Sequence, residues 1–145
     1  TQEFRSRIID GFRQKDFSVV FGEMQRLFAS IPYMLFEKQK KGEDPNQWTH
    51  REESFYHSLF RTALWACGIS VKAEEPTHLG RSDLVIEFAQ DVYIVELKKA
   101  PAQKALSQIL QKEYHLKYTD RPLSLIGIEI DANRRNLAGF TISQA

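Results

Sequence analysis

Three side chains stand out for the chemistry they could perform together: Asp83, Glu96 and Lys98. Glu96 and Lys98 close the run Val92-Tyr93-Ile94-Val95-Glu96-Leu97-Lys98. Near-continuous apolar runs of this kind mark strands covered on both faces, so a charge inside one is the informative exception. Alternate strand residues share a face. Glu96 and Lys98 therefore lie with Val92 and Ile94, opposite Tyr93, Val95 and Leu97. Asp83 opens the preceding run, Leu84-Val85-Ile86-Glu87-Phe88, and Ala89-Gln90-Asp91 between the two suits a tight hairpin. If Glu87 pairs with Val92, Asp83 falls opposite Glu96, with β-carbons about 4.5–5.5 Å apart. A register displaced by two residues sets Asp83 against Lys98 instead. Either register gathers all three on one face.

Two adjacent carboxylates repel each other and need a counter-charge. Lys98 could supply one positive charge. A divalent cation supplies two, and hard oxygen ligands suit magnesium or manganese. Such an ion can activate water and polarise a phosphoryl oxygen, while a neighbouring lysine orients that water or stabilises charge on the phosphate. Glu-x-Lys alone is a common surface ion pair. Asp83 and the apolar strand context are what make this one a candidate site.

The surrounding elements follow from periodicity. Phe4, Ile8, Ile9 and Phe12 recur at helical spacing. A second helix starts at Asp16 as N-cap, carries Phe17, Val20, Phe21, Met24, Leu27 and Phe28 on one stripe, and stops at Ile31-Pro32. The polar stretch Glu37–Asn46, closed by Pro45, reads as a solvated loop or linker. A third helix runs from about Thr49 to Cys67, with Gly68 as its stop. Ile69 to Glu74 alternates as a strand until Pro76. Pro101 opens a long helix from Ala102 to about Tyr118. Leu123 to Ile130 is a strand, and Leu137 to Ile142 a last, edge-like one. The order from the third helix onward is helix, three strands, helix, strand, strand. The expected fold is α/β (α+β), a mixed sheet with helices against it. Residues 47–145 form the expected domain, and residues 1–46 a helical appendage attached to its core but not part of it.

Composition narrows the function. The chain of 145 residues is 42% hydrophobic and 27% charged, which suits one soluble globular domain. A net charge of +1 argues against non-specific electrostatic attachment to DNA, although a local basic patch remains open. The single cysteine, Cys67, lies in an apolar run, so no disulfide framework or cysteine zinc site forms within one chain. A reducing, cytoplasmic setting fits best. No run of about 18 apolar residues or signal peptide is visible. The first residue is Thr1 rather than methionine, so a piece of something longer is expected.

Gly80-Arg81-Ser82-Asp83, then twelve residues, then Glu96-Leu97-Lys98, resembles the signature of the PD-(D/E)XK nuclease superfamily. A closer resemblance is to the nuclease-like domain that follows an AAA-ATPase-like domain in many bacterial proteins. It rests on Glu53-Ser54-Phe55-Tyr56-His57-Ser58, on Gly80 to Asp83, on Ala105, Gln108-Ile109 and Lys112-Glu113-Tyr114, and on Ile31-Pro32-Tyr33. Ser82 stands where the family usually has proline. The resemblance implies a restriction-endonuclease-like αβββαβ core. It implies Mg²⁺ or Mn²⁺ held by Asp83, Glu96 and the Leu97 carbonyl, and Lys98 positioning or activating water. It implies that Glu53 completes the acidic cluster and that Gln108 lines the site. It also implies a nucleic-acid partner, DNA foremost, and an ATPase-like domain outside these residues. Related domains can keep the fold without the chemistry, so an inactive module for nucleic-acid or protein contact stands as the alternative. A purely structural acidic cluster paired by Lys98 is a third reading.

His57 could act as a base, but it lies four residues after Glu53 on one helical face, which favours a supporting contact. Tyr56 and Tyr114 could stack on bases, against ordinary packing. His78 reads as an exposed loop residue. Lys99, Lys104, Lys112 and Lys117 could meet phosphates, or form a solvated face.

Overall fold

The structure, a computed structural model, describes residues 1–73 and 83–144, without the side chains of Tyr114 and His115. The Gly80-Arg81-Ser82 segment, His78, Pro76, Glu74 and the ring of Tyr114 lie outside this description.

Two helices come first, α1 (Gln2–Arg13) and α2 (Phe17–Ser30). Asp16 caps α2 as expected, its carboxylate accepting from the Ser18 N–H at 3.1 Å. Next comes α3 (Pro45–Ala66), which starts four residues before the expected Thr49. Asp44 accepts from the Asn46 and Gln47 N–H groups, and Pro45 occupies the first turn, where a missing N–H costs nothing. Proline there opens the helix and does not merely close the loop before it. The Glu37–Asn46 stretch is also tied down. The Arg51 guanidinium donates to Glu43 at 2.8 and 3.0 Å, to Glu37 at 2.8 Å and to the Lys38 carbonyl at 2.7 Å. These hydrogen bonds hold the Glu43 carboxyl down at about 2.

Five strands form one sheet in sequence order: β1 (Ser70–Ala73), β2 (Leu84–Phe88), β3 (Asp91–Lys98), β4 (Leu123–Asp131) and β5 (Asn136–Gln144). The β1–β2, β2–β3 and β4–β5 pairs are antiparallel, and β3–β4 is parallel. The parallel step needs a crossover, which α4 (Ala102–Lys112) supplies. This is the expected helix, three strands, helix, strand order, with β3 interior and β5 an edge. The crossover helix is shorter than expected. Glu113 takes a left-handed conformation at φ 61°, and the chain continues as a 3-10 turn, Tyr114–Tyr118. A glutamate there carries none of the usual glycine signal for a helix stop.

The sheet divides two cores. Tyr93, Val95 and Leu97 pack with residues of α1, α2 and α3, while Val92 and Ile94 pack with Leu106 and Ile109 of α4. Residues 1–46 therefore differ from the expected appendage. Ile8, Phe12, Phe17, Val20, Met24 and Phe28 belong to the same buried cluster as Tyr56, Phe60, Leu84 and Ile86. Phe12 lies 5.5 Å from Phe88 and 5.2 Å from Tyr93 between ring centroids, and Phe28 stacks on Tyr56 at 5.4 Å. Periodicity finds an amphipathic stripe but cannot say what covers it. A chain beginning at Gln47 would expose this face, and is expected to aggregate at concentrations where the intact chain does not, as read by light scattering.

Gly127 governs how α4 lies on the sheet. A β-carbon there would collide with the Ala102 carbonyl oxygen and come within 2.5 Å of the Leu106 nitrogen, both backbone atoms that cannot yield. Gly127 pairs with Glu96 in β3, so the same close approach seats α4 beside the acidic residue. Gly127→Val is expected to cost about 3 kcal/mol or more by overpacking, read as a lowered denaturant midpoint.

Candidate active site

The hairpin register is Glu87 with Val92 and Leu84 with Val95. Continued by one residue, it sets Asp83 opposite Glu96, the first of the two registers expected. Both side chains lie on the α4 face. Asp83 is fully buried and Glu96 is 3% exposed. Like charges so placed repel each other. Burial first, and then the charge of Glu96, push the Asp83 carboxyl up to about 7; the ammonium of Lys112 pulls the other way without prevailing. The Oδ2 atom of Asp83 has no hydrogen-bond partner among the described residues.

Among the described residues, a positive charge against this pair comes from α4. The Lys112 Nζ lies 3.3 Å from Asp83 Oδ1 and 3.3 Å from Glu96 Oε1. By periodicity alone Lys112 is one of several phosphate-facing or solvated lysines. One signal could have found it: Gln108 and Lys112 are four residues apart, so a helix that points Gln108 at the site points Lys112 there too. Gln108 is half-buried on that face of α4. Lys98, half-buried at the end of β3, shares the Glu96 face by alternation and pairs with Glu129 of β4.

Glu53 comes from another element. It is buried in α3, on the opposite side of the sheet from α4, and its Oε2 accepts from the Lys99 N–H at 2.7 Å. Its neighbour Glu52 pairs with the Lys99 ammonium at 2.5 Å. Lys99 follows the alternation of Leu97 and so turns toward α3 rather than toward Lys98. Among the described residues no three His, Cys, Asp or Glu side chains gather as a metal-holding set. Glu53 braces the strand end behind Lys98. His57 is likewise buried in α3.

The donor chemistry suits a hard divalent cation. Two carboxylates and the strand carbonyl of Leu97 are oxygen ligands, and a buried Asp83 oxygen without a partner among the described residues is the kind of atom such an ion satisfies. Magnesium bound by few protein ligands keeps several waters, so a third carboxylate is not required.

A family model of the PD-(D/E)XK nuclease superfamily matches residues 51–139, and the chain belongs to that superfamily. The matched segment runs from early α3 into β5 and includes Asp83, Glu96 and Lys98. An uncharacterized protein in the vnfD 5′ region of Azotobacter chroococcum mcd 1 is 34% identical over 120 residues. That alignment covers 79% of this chain and 22% of the relative, so the chain spans about a fifth of that protein's length. No solved structure matches the chain. The mixed five-stranded sheet with helices on both faces is a restriction-endonuclease-like architecture. No helix among the described residues is long and apolar enough to cross a membrane.

Proposed function

We propose that the chain is a metal-dependent nuclease domain that hydrolyses phosphodiester bonds, in DNA foremost. The observation that carries this reading is the buried Asp83–Glu96 pair facing Lys98's side of the sheet, in a member of a nuclease superfamily. Asp83, Glu96 and the Leu97 carbonyl would hold Mg²⁺ or Mn²⁺. When bound, such an ion supplies Lewis-acid polarisation of the phosphoryl group and an acidified water. Lys98 carries a fixed positive charge on the Glu96 face, where it orients the attacking water and stabilises charge developing on phosphate oxygens. Gln108, from α4, supplies amide donors and an acceptor at the rim of the site. Glu53 holds the backbone at Lys99, and with it the strand end from which Lys98 projects. Lys112 balances the acidic pair until substrate and cation enter.

The setting proposed for this domain is a larger cytoplasmic protein in which an ATPase-like region precedes it, as the motif resemblance implies. The experiment is nicking of plasmid and single-stranded DNA with Mg²⁺ or Mn²⁺, performed on the full-length protein beside its Lys98→Ala and Asp83→Ala variants. Equal cutting by all three would remove support for the site. If the wild type neither cuts nor binds metal, the fold serves as a binding module instead.

A further inference from the structure

A second site lies around the sheet end from the acidic pair. The turn that joins β4 to β5 carries Ala132 and Arg135, just beyond Asp131. Because β4 runs parallel to β3, this turn sits past the same strand end from which Lys98 projects. Here a cavity of about 250 Å³ opens among Tyr33, Lys38, Trp48, Glu52, Tyr56 and Arg135. That is below the roughly 300–1,000 Å³ of pockets for drug-sized ligands, and suits one planar ring.

Its chemistry is unbalanced in three ways. First, Tyr33 is 59% exposed, although it is a large aromatic. Its ring is flanked by cations, with the Arg135 guanidinium 5.1 Å and the Lys38 ammonium 5.8 Å from the centroid. Second, among the described residues neither cation has a carboxylate partner. The neighbouring Arg51 and Lys99 are both paired, with Glu43 and Glu52. Third, the Tyr56 hydroxyl is buried and has no hydrogen-bond partner among the described residues. Tyr56 lines the cavity together with Glu52 and Arg135. Burial raises its pKa to about 12, so it remains a hydrogen-bond donor at neutral pH. A buried donor without an acceptor is costly and marks a place where a ligand completes the structure.

We propose that this cavity binds one unstacked nucleotide of a single-stranded segment flanking the scissile bond, with its base against the Tyr33 and Trp48 rings and its phosphate on Arg135 and Lys38. The Tyr56 hydroxyl donates to an acceptor on the base edge or the phosphate. Aromatic rings suit any base, because every base has a π-face, and free cations beside them track the backbone. The site thus confers a preference for unpaired strand without reading sequence. This inference rests on the nuclease reading of the acidic pair.

The test is binding in EDTA, where no cleavage occurs. Fluorescein-labelled oligothymidylate and a duplex of equal length are titrated by anisotropy with the full-length protein. Tyr33→Ala, Tyr56→Phe and Arg135→Glu are titrated alongside. In a Trp65→Phe background, Trp48 fluorescence is followed as well. The single strand should bind more tightly than the duplex and quench Trp48. Tyr33→Ala and Arg135→Glu should each weaken single-strand binding by about fivefold or more. Arg135→Glu should also flatten the salt dependence. Tyr56→Phe keeps the ring and removes only the donor; it should weaken binding severalfold with no loss of thermal stability. If all variants bind as the wild type does, the inference is overturned while cleavage and the nuclease reading stand. Failure of the wild type to bind overturns it too. If that protein also cuts no polynucleotide, the nuclease reading falls with it. Unchanged oligonucleotide binding would leave the cavity, with exposed Met34 and Leu35 beside it, to a protein contact.

Discussion

Lys98→Ala is expected to lower the rate of phosphodiester cleavage by about a hundred- to ten-thousandfold while leaving metal affinity nearly unchanged. Lysine is not a ligand for a hard cation, so its loss removes charge stabilisation and water orientation only. Asp83→Ala should lose both metal and cleavage, because an ion held by few protein ligands cannot spare one. Calorimetric Mn²⁺ titration and plasmid nicking, run on the same preparations, separate the two outcomes. Asp83 adds a stability signature. Its carboxyl, ordinarily near 3.8, is pushed up to about 7 in the fold. A carboxyl with a raised folded pKa supports folding at low pH, and that contribution is lost as pH rises through about 7. In EDTA, the wild type should therefore lose stability between about pH 4 and pH 7, by roughly 2–4 kcal/mol. Asp83→Asn should flatten this slope and raise the melting temperature at pH 8. A variant that melts lower than the wild type at pH 8 would contradict the electrostatic account of the pair.

Lys112→Gln should change the same site in the opposite sense. With its Nζ 3.3 Å from both carboxylates, Lys112 stands where a divalent cation would be drawn. Removing its charge should tighten Mn²⁺ binding by about tenfold or more, because the entering ion no longer competes with an ammonium. Without metal, the variant should be less stable above pH 7, since the buried pair loses this ammonium. The full cost of breaking a buried pair is about 3–5 kcal/mol. The Lys112 side chain is 36% exposed, so screening reduces this to about 1–3 kcal/mol. Added Mn²⁺ should restore the lost stability. Cleavage should fall as well if the freed ammonium meets the phosphate once the ion is bound. Equal Mn²⁺ affinity in variant and wild type would show that Lys112 merely decorates the rim.

Much of this was legible in the residues themselves. Alternation in Val92 to Lys98 places Glu96 and Lys98 on one face, since a strand has a period of two and leaves no choice. The hairpin is so short that only a few registers are open, and both registers considered bring Asp83 to that face. The two apolar flanks of β3 announce an interior strand, because only a strand covered on both sides needs them. Asp16 as cap and Pro101 before α4 are local effects, set by neighbours within a few residues.

What tertiary structure decided depends on contacts between residues far apart in the chain. Phe12, Phe17 and Phe28 form a recognisable stripe, but only packing shows that the stripe completes the core of the sheet. Glu53 and Glu96 look alike as acidic residues in apolar settings. Glu53 belongs to α3, and α3 and α4 cover opposite faces; only the fold shows that its carboxylate reaches the Lys99 N–H at the end of β3. Glu113 ends α4 in a left-handed turn that no glycine foretells. Lys112 becomes the counter-ion because Gly127 lets α4 close down on β4. The amino-acid sequence by itself determined which residues face the reaction: periodicity is a local property of the backbone. The fold alone decided which charge balances them, because a salt bridge between residues 29 positions apart depends on how a helix is seated on a sheet.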